Sequence, residues 1–250
     1  MLRNLPAVTK NILLLNILFY VVSLVLSSNG ENMTHLLGAH YINSILFQPF
    51  QVITHMFMHS LESPLHIIFN MFLLVMFGAH LERIWGAKRY FIFYIASGLG
   101  AFALYNGIGV FQLMQAKEGL LAMGFDPTEL HDLIISSNGS QYMSFSDPDL
   151  NEFAVPYQAL NSSVIVGASG AIFGLLAGFA MLFPNTELQL LFPPIPIKAK
   201  YLIGGYLLYE VYSSIYQSGD QIAHLAHVGG AIVGIVFILI WKRRDRQNFY

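Results

Sequence analysis

The chain has 250 residues, of which 55% are hydrophobic and 10% charged, with a mean hydropathy of +0.57. Soluble domains carry about 25% charged residues, so this balance excludes an ordinary globular domain and points to a multi-pass membrane protein. A net charge of −2 gives no basis for nucleic-acid binding, and the absence of cysteine excludes disulfides, thiolate metal sites and a cysteine nucleophile.

Apolar runs predict six spans in an all-α chain, at about 11–27, 64–82, 90–110, 169–183, 199–217 and 222–241. Several approach the roughly 20 residues that cross hydrocarbon. The first lacks an A-x-A cleavage site and is expected to be retained. No soluble domain or internal repeat interrupts the pattern, so 1–250 reads as one membrane domain. Six spans put both termini on one side, together with eleven of the twelve basic residues, from Arg3 and Lys10 to Arg246; only Lys117 lies opposite. The positive-inside rule then makes that side cytoplasmic.

Two long segments face outward. Segment 28–63 holds Met33, Leu36, Tyr41, Phe47 and Phe50 among few charges, and is expected to lie in the outer interface. Segment 111–160 reads as a long loop with seven of the fourteen acids. Within it, Asp126-Pro127-Thr128-Glu129 has a cap, a proline and an acid that predict a short helix through Ile135. Asn138–Asp149 reads as an exposed polar stretch, and His131 as solvated. On the cytoplasmic side, Leu81–Arg89 is a tight link and Phe192-Pro193-Pro194-Ile195-Pro196 a stiff one. Trp85 and Trp241 fit interface anchors.

Ionisable residues inside spans are costly and default to function. His66 and Asn70 are four apart on span two and share a face. Span six carries His224 and His227. Span four opens with Gly167-Ala168-Ser169-Gly170, a serine between glycines where a loop becomes a helix. Backbone N–H groups there can face a developing negative charge. An N-cap role for Ser169 and a packing role for the glycines remain open at this point. Counting at ~1.5 Å per residue from the cytoplasmic ends puts Ser169, His227, His66 and Asn70 roughly 20–25 Å up, in one layer. Span four covers only about 22 Å by the same rise, so the chain must dip into the membrane before it. Non-helical backbone at that depth must be buried in protein or line a water-filled cavity. A serine facing a histidine in such a cavity is a hydrolytic arrangement. Gly170, Gly174 and Gly178 on span four, and Gly230 and Gly234 on span six, form small-residue ridges that allow close packing. No Asp or Glu falls in the counted layer, so a two-residue Ser–His unit is expected. Glu210 of span five is expected to meet a backbone or polar partner, and His55 and His59 to be structural. Span five lacks a small-residue ridge toward its outer half, so it is expected to pack loosely and to admit substrate sideways from lipid.

These residues resemble the rhomboid family of intramembrane serine proteases. Gly167-Ala168-Ser169-Gly170 is similar to its G-x-S-G motif. Ala226-His227-Val228-Gly229-Gly230 with Gly234 is similar to its A-H-x-x-G-x-x-x-G motif, and His66–Asn70 to its H-x-x-x-N motif. The resemblance implies a six-helix rhomboid-like bundle, with Ser169 as nucleophile and His227 as general base. It implies that His66, Asn70 and the Ser169 N–H hold the oxyanion, and places Gly167 and Phe173 in the site. Phe173 stands where some members have a tyrosine stacked on the histidine. The implied activity is endopeptidase cleavage in or near transmembrane segments of membrane-protein substrates in the lipid bilayer. No cofactor, metal or nucleic acid is expected, and the implied place is the cell membrane with both termini cytoplasmic. The rival readings are a catalytically dead relative that grips transmembrane helices, and a histidine-relay transporter.

Overall fold

The computed structural model describes residues 4–30, 32–137, 139–189, 194–216 and 221–244. Arg3, Asn138, Phe192, Pro193, Gln217 and Arg246 lie outside the described residues. The chain is helical almost throughout. Helix α1 (Ala7–Ser27) is followed by short helices α2 (Met33–Leu37) and α3 (Gln51–Thr54). Helix α4 (Pro64–Leu73) runs through a π turn at Leu74–Gly78 into α5 (Ala79–Ala122). Gly86, at φ 76°, breaks that rod in two, a conformation that side-chain-bearing residues avoid. Helices α6 (His131–Ser136) and α7 (Pro148–Ser162) precede α8 (Ser169–Leu182). A hairpin of β1 (Glu187–Gln189) and β2 (Pro196–Lys198) leads to α9 (Ala199–Tyr216) and α10 (Gln221–Arg244).

The described residues of each stretch predicted as a span are helical, save Phe183 just past the end of α8. Among the described residues, three helical stretches are long and apolar enough to cross a membrane: Ala7–Ser27, Pro64–Ala122 and Ala223–Arg243. Ser169–Leu182 is a shorter apolar helix. The outward faces of the three long stretches and of α9 carry apolar side chains, as Leu14, Leu18, Phe69, Phe111, Leu208 and Ile240 illustrate.

Helix α8 is the central element, buried along nearly its whole length. Its glycine ridge meets the ridge of α10. A Cβ on Gly230 would collide with the carbonyl oxygen of Gly170, and one on Gly234 would lie 2.7 Å from that of Gly174. Backbones this close gain dispersion contacts that lipid tails cannot supply.

The outward segments differ from their sequence reading. The helix predicted over 90–110 does not stop there: α5 continues to Ala122, and its extension packs with α6 and α7 around Leu113, Leu120, Leu130, Ile134 and Tyr157. Segment 111–160 is thus a helical unit with its own small core. Apolar residues of this α5 extension face α6 and α7. Asp126 caps a 3₁₀ turn over Pro127–Leu130 through Thr128 N–H at 2.9 Å. His131 is not simply solvated; its Nε2 lies 2.9 Å from the Tyr157 hydroxyl. Segment 28–63 is partly drawn into the protein, with Ala39, His40, Tyr41 and Gln51 buried. Trp85 is buried too, edge-on to Trp241 at 5.4 Å.

Helix α1 lacks a side-chain cap of its own and has no acid in its first turn. Buried Glu82 supplies both functions. Its carboxylate accepts from Val8 N (2.9 Å), Thr9 N (2.7 Å) and Thr9 Oγ1 (2.7 Å). A negative group on orphan N–H groups at the positive end of a helix is favourable. Glu82→Ala should therefore lower stability by about 2–3 kcal/mol, the scale of charge-assisted hydrogen bonds lost from buried donors. Thermal melts in detergent test this, with Glu82→Gln, which keeps an acceptor, expected in between.

Candidate active site

The irregular backbone before α8 is held at every turn. Ala39 and Ile165 exchange two backbone hydrogen bonds of 2.9 Å. The Ser163 carbonyl lies 2.9 Å from His40 Nδ1 and accepts from the Tyr105 hydroxyl at 3.4 Å. Gly167 N–H donates to the His55 carbonyl at 2.9 Å. The His55 ring is itself fixed by the Gln51 carbonyl at 2.8 Å. Burial pushes the His55 imidazole down to about 4, so the ring is neutral at pH 7. Burial, then the nearby His66, pushes His59 down to about 3. Both behave as structural residues around the site.

Gly167 has φ +130°. The turn delivers Ser169 as the first residue of α8. Ala168 is the N-cap and has no side-chain cap bond, so Ser169 does not spend its hydroxyl on the helix. The Ser169 Oγ instead lies 2.9 Å from Nε2 of His227. The glycine contact of α8 with α10 sets this distance, because Gly170 and Gly230 sit one and three residues from the reacting pair.

The His227 ring is fixed on two further sides. Phe173, one turn along α8, stacks on it at 4.2 Å and 14°. The ring at this position is retained without a hydroxyl. Nδ1 of His227 lies 2.9 Å from Oε2 of Glu210 on α9, and Nδ1 of His224 lies 2.6 Å from the same oxygen. Glu210 is 2% exposed. A carboxylate thus reaches the far side of the His227 ring, and Glu210 has polar partners there. Counting Cα rise put Glu210 ten residues above Lys200, ~15 Å, against ~22 Å for His227. That count omitted the reach of a glutamate and an imidazole toward each other, which spans the difference. The signal was present in the sequence as an acid inside an apolar helix, which demands a partner.

Ser169, His227, His66 and Gly167 line one cavity of about 540 Å³, together with His55, Ser60 and Glu62. A Cβ on Gly167 would sit 3.1 Å from His66 Nε2 and 3.3 Å from Ser169 Oγ, so both side chains border Gly167. Asn70 is buried on the next turn of α4 and donates through Nδ2 to the His66 carbonyl at 2.8 Å. Its amide carries a second N–H. Glu210, His224 and His227 also form a group of ligand atoms within 4.8 Å of one another.

The Rhomboid domain family matches residues 46–124 and 139–244. The chain belongs to the rhomboid family. Curated relatives include the rhomboid protease AarA of Providencia stuartii, 27% identical over 249 residues, 94% of this chain and 73% of that protein. An uncharacterized mitochondrial rhomboid protein, P4H10.10, of Schizosaccharomyces pombe is 29% identical over 171 residues, 58% of this chain and 43% of that one. Rhomboid membership and the apolar helices together point to an integral membrane protein.

Gly167→Ala tests the turn that presents the serine. A side chain is strained at this φ, and the methyl would crowd both His66 and Ser169. Strain of this kind costs about 1–3 kcal/mol. The variant should melt lower in detergent and bind serine-directed fluorophosphonate more slowly. Unchanged labelling would mean that the turn does not position Ser169.

Proposed function

We propose that this rhomboid is an intramembrane serine endopeptidase that cleaves peptide bonds in or near transmembrane segments of other membrane proteins. The observation that carries the reading is the 2.9 Å contact between Ser169 Oγ and His227 Nε2 in the wall of an accessible cavity. Nucleophile and base within hydrogen-bond reach, with the base held by a third group, is the geometry of an activated serine.

In this reading the Ser169 proton passes to His227 Nε2 as Oγ bonds the scissile carbonyl carbon. The carbonyl π electrons move to oxygen. His66, the second N–H of Asn70 and the backbone N–H of Ser169 are the donors for that oxyanion. Each such donor contributes about 3–4 kcal/mol in a fixed, water-poor site. Collapse expels the amine, which takes the proton from Nε2 and leaves an acyl-Ser169 ester. Water then attacks the ester carbonyl, giving its proton to His227; collapse breaks the acyl–Oγ bond, releases the carboxylic acid product and returns that proton to Ser169 Oγ. The substrate backbone must be unwound to be attacked, so transmembrane segments with helix-weakening residues are the expected targets. The distribution of basic residues supports cytoplasmic termini in a cell membrane, with the cavity opening to the other side. The substrate reaches the site sideways beside α9, where Gly204 and Gly205 face open space and Tyr212, Ile215 and Tyr216 are exposed.

Purified protein should cleave a transmembrane substrate in detergent, and Ser169→Ala and His227→Ala should each abolish cleavage while the melt is retained. A fluorophosphonate should label Ser169 in the native chain. Turnover by Ser169→Ala, or no labelling, would sink the assignment in favour of a helix-gripping relative or a histidine relay.

Asn70→Ala should lower kcat by roughly 10²–10³ with little change in KM, the mark of a contact made in the transition state. A lower melt with normal cleavage by the folded fraction would instead make Asn70 a packing residue.

A further inference from the structure

The proposed reaction needs only Ser169 and His227, yet a buried carboxylate reaches the far side of the base. We infer that Glu210 is a positioning residue of the reaction, holding His227 in the tautomer that can accept the serine proton, and that His224 pins Glu210 in place. This rests on the protease reading and deepens it.

The argument begins with donors and acceptors. An ionised carboxylate only accepts hydrogen bonds. Oε2 of Glu210 receives both His227 Nδ1 and His224 Nδ1, at 2.9 and 2.6 Å. Both Nδ1 atoms therefore carry the hydrogen. A neutral imidazole with hydrogen on Nδ1 presents a lone pair at Nε2, and Nε2 of His227 is the atom 2.9 Å from Ser169 Oγ. Carboxylate, ring and hydroxyl stand in series, on opposite nitrogens of one ring. When the ring takes the serine proton, the carboxylate faces the resulting cation.

His224 gives the carboxylate a reason to stay. A single contact to His227 would leave the glutamate side chain free to turn about its last bonds. The second histidine, three residues away on the same helix, approaches the same oxygen and fixes the carboxylate plane. At 2% exposure, Glu210 has little access to water as an alternative partner.

A metal ion shared by these three residues is the competing use of the cluster. Zinc holds ligands about 2.0–2.2 Å away, which separates neighbouring tetrahedral donor atoms by about 3.3 Å. The observed separations of 2.6 and 2.9 Å are those of hydrogen bonds.

The test uses the full chain in detergent with a transmembrane substrate whose cleavage depends on Ser169. Glu210→Gln should lower kcat about 10²- to 10⁴-fold, as loss of the tautomer-setting carboxylate does in serine proteases. KM should change little. Glu210→Asp, with the charge kept, should retain more activity than Glu210→Gln, and His224→Gln should lose about tenfold or less. In ¹⁵N spectra of histidine-labelled protein, the signal absent from His227→Ala should report hydrogen on Nδ1 in the native chain and lose that character in Glu210→Gln. Native kcat in Glu210→Gln would overturn the inference. So would equal losses in the Gln and Asp variants that follow the melted fraction with the tautomer unchanged, since Glu210 would then be only a helix tie. Activity removed by a chelator and restored by zinc would also overturn it. None of these outcomes touches the protease reading, which fails separately if cleavage survives Ser169→Ala.

Discussion

The close approach of α8 and α10 is the constraint on which the site depends. Their backbones meet at Gly230 against Gly170 and at Gly234 against Gly174, at separations that no side chain permits. Ser169 and His227 project from the edge of that contact, so the reacting distance is set by backbone packing and not by flexible side chains. Serine at the head of one helix and histidine near the head of the other then need only short reaches to meet. Phe173, on the same face of α8, takes up the flat side of the ring. The helix pair thus supplies position, and the residues around it supply orientation.

A serine at a helix start inside a membrane protein requires non-helical chain in front of it. That chain carries backbone groups that lipid would leave unsatisfied. Segment 28–63 and α5 meet three of residues 163–167: Ala39 pairs with Ile165, Tyr105 and His40 reach Ser163, and His55 accepts from Gly167. Segment 28–63 therefore has a physical role at the site beyond the part of the cavity wall that His55, Ser60 and Glu62 supply. Burial of His40, Gln51 and His55 follows from that role, because each is spent on backbone groups.

The helical stretches, the glycine ridges and the placing of Ser169, His66 and His227 around one cavity were legible because each depends on local pattern. Hydropathy marks the helices, and equal distance from the basic ends marks the shared depth. What escaped was set by side chains reaching between elements. Depth counting along the axis put Glu210 below the reacting layer, although two long side chains close that gap. The helical extension of α5 to Ala122 escaped for a similar reason. Leu113 and Leu120 look too sparse for a span, and only α6 and α7 packed beside them explain why the helix continues. Trp85 read as an interface anchor because its partner Trp241 lies far away in sequence.

Glu210 also limits how α9 can move. The sequence and the exposed outer face of α9 both favour substrate arriving beside this helix. The same helix carries the carboxylate that meets His227 and His224. A rigid outward swing of all of α9 would take Glu210 with it and break both contacts at the moment the base is needed. A bend that begins beyond residue 210 does not. Along α9, Ile203, Glu210 and Ser213 are buried, whereas Leu208, Tyr212, Ile215 and Tyr216 are exposed, so one face of the helix is turned inward. In the proposed reading the outer turn of α9 yields to a substrate while the turn below it holds the histidine. Access and chemistry are then served by adjacent turns of one helix, with Glu210 at the boundary between them.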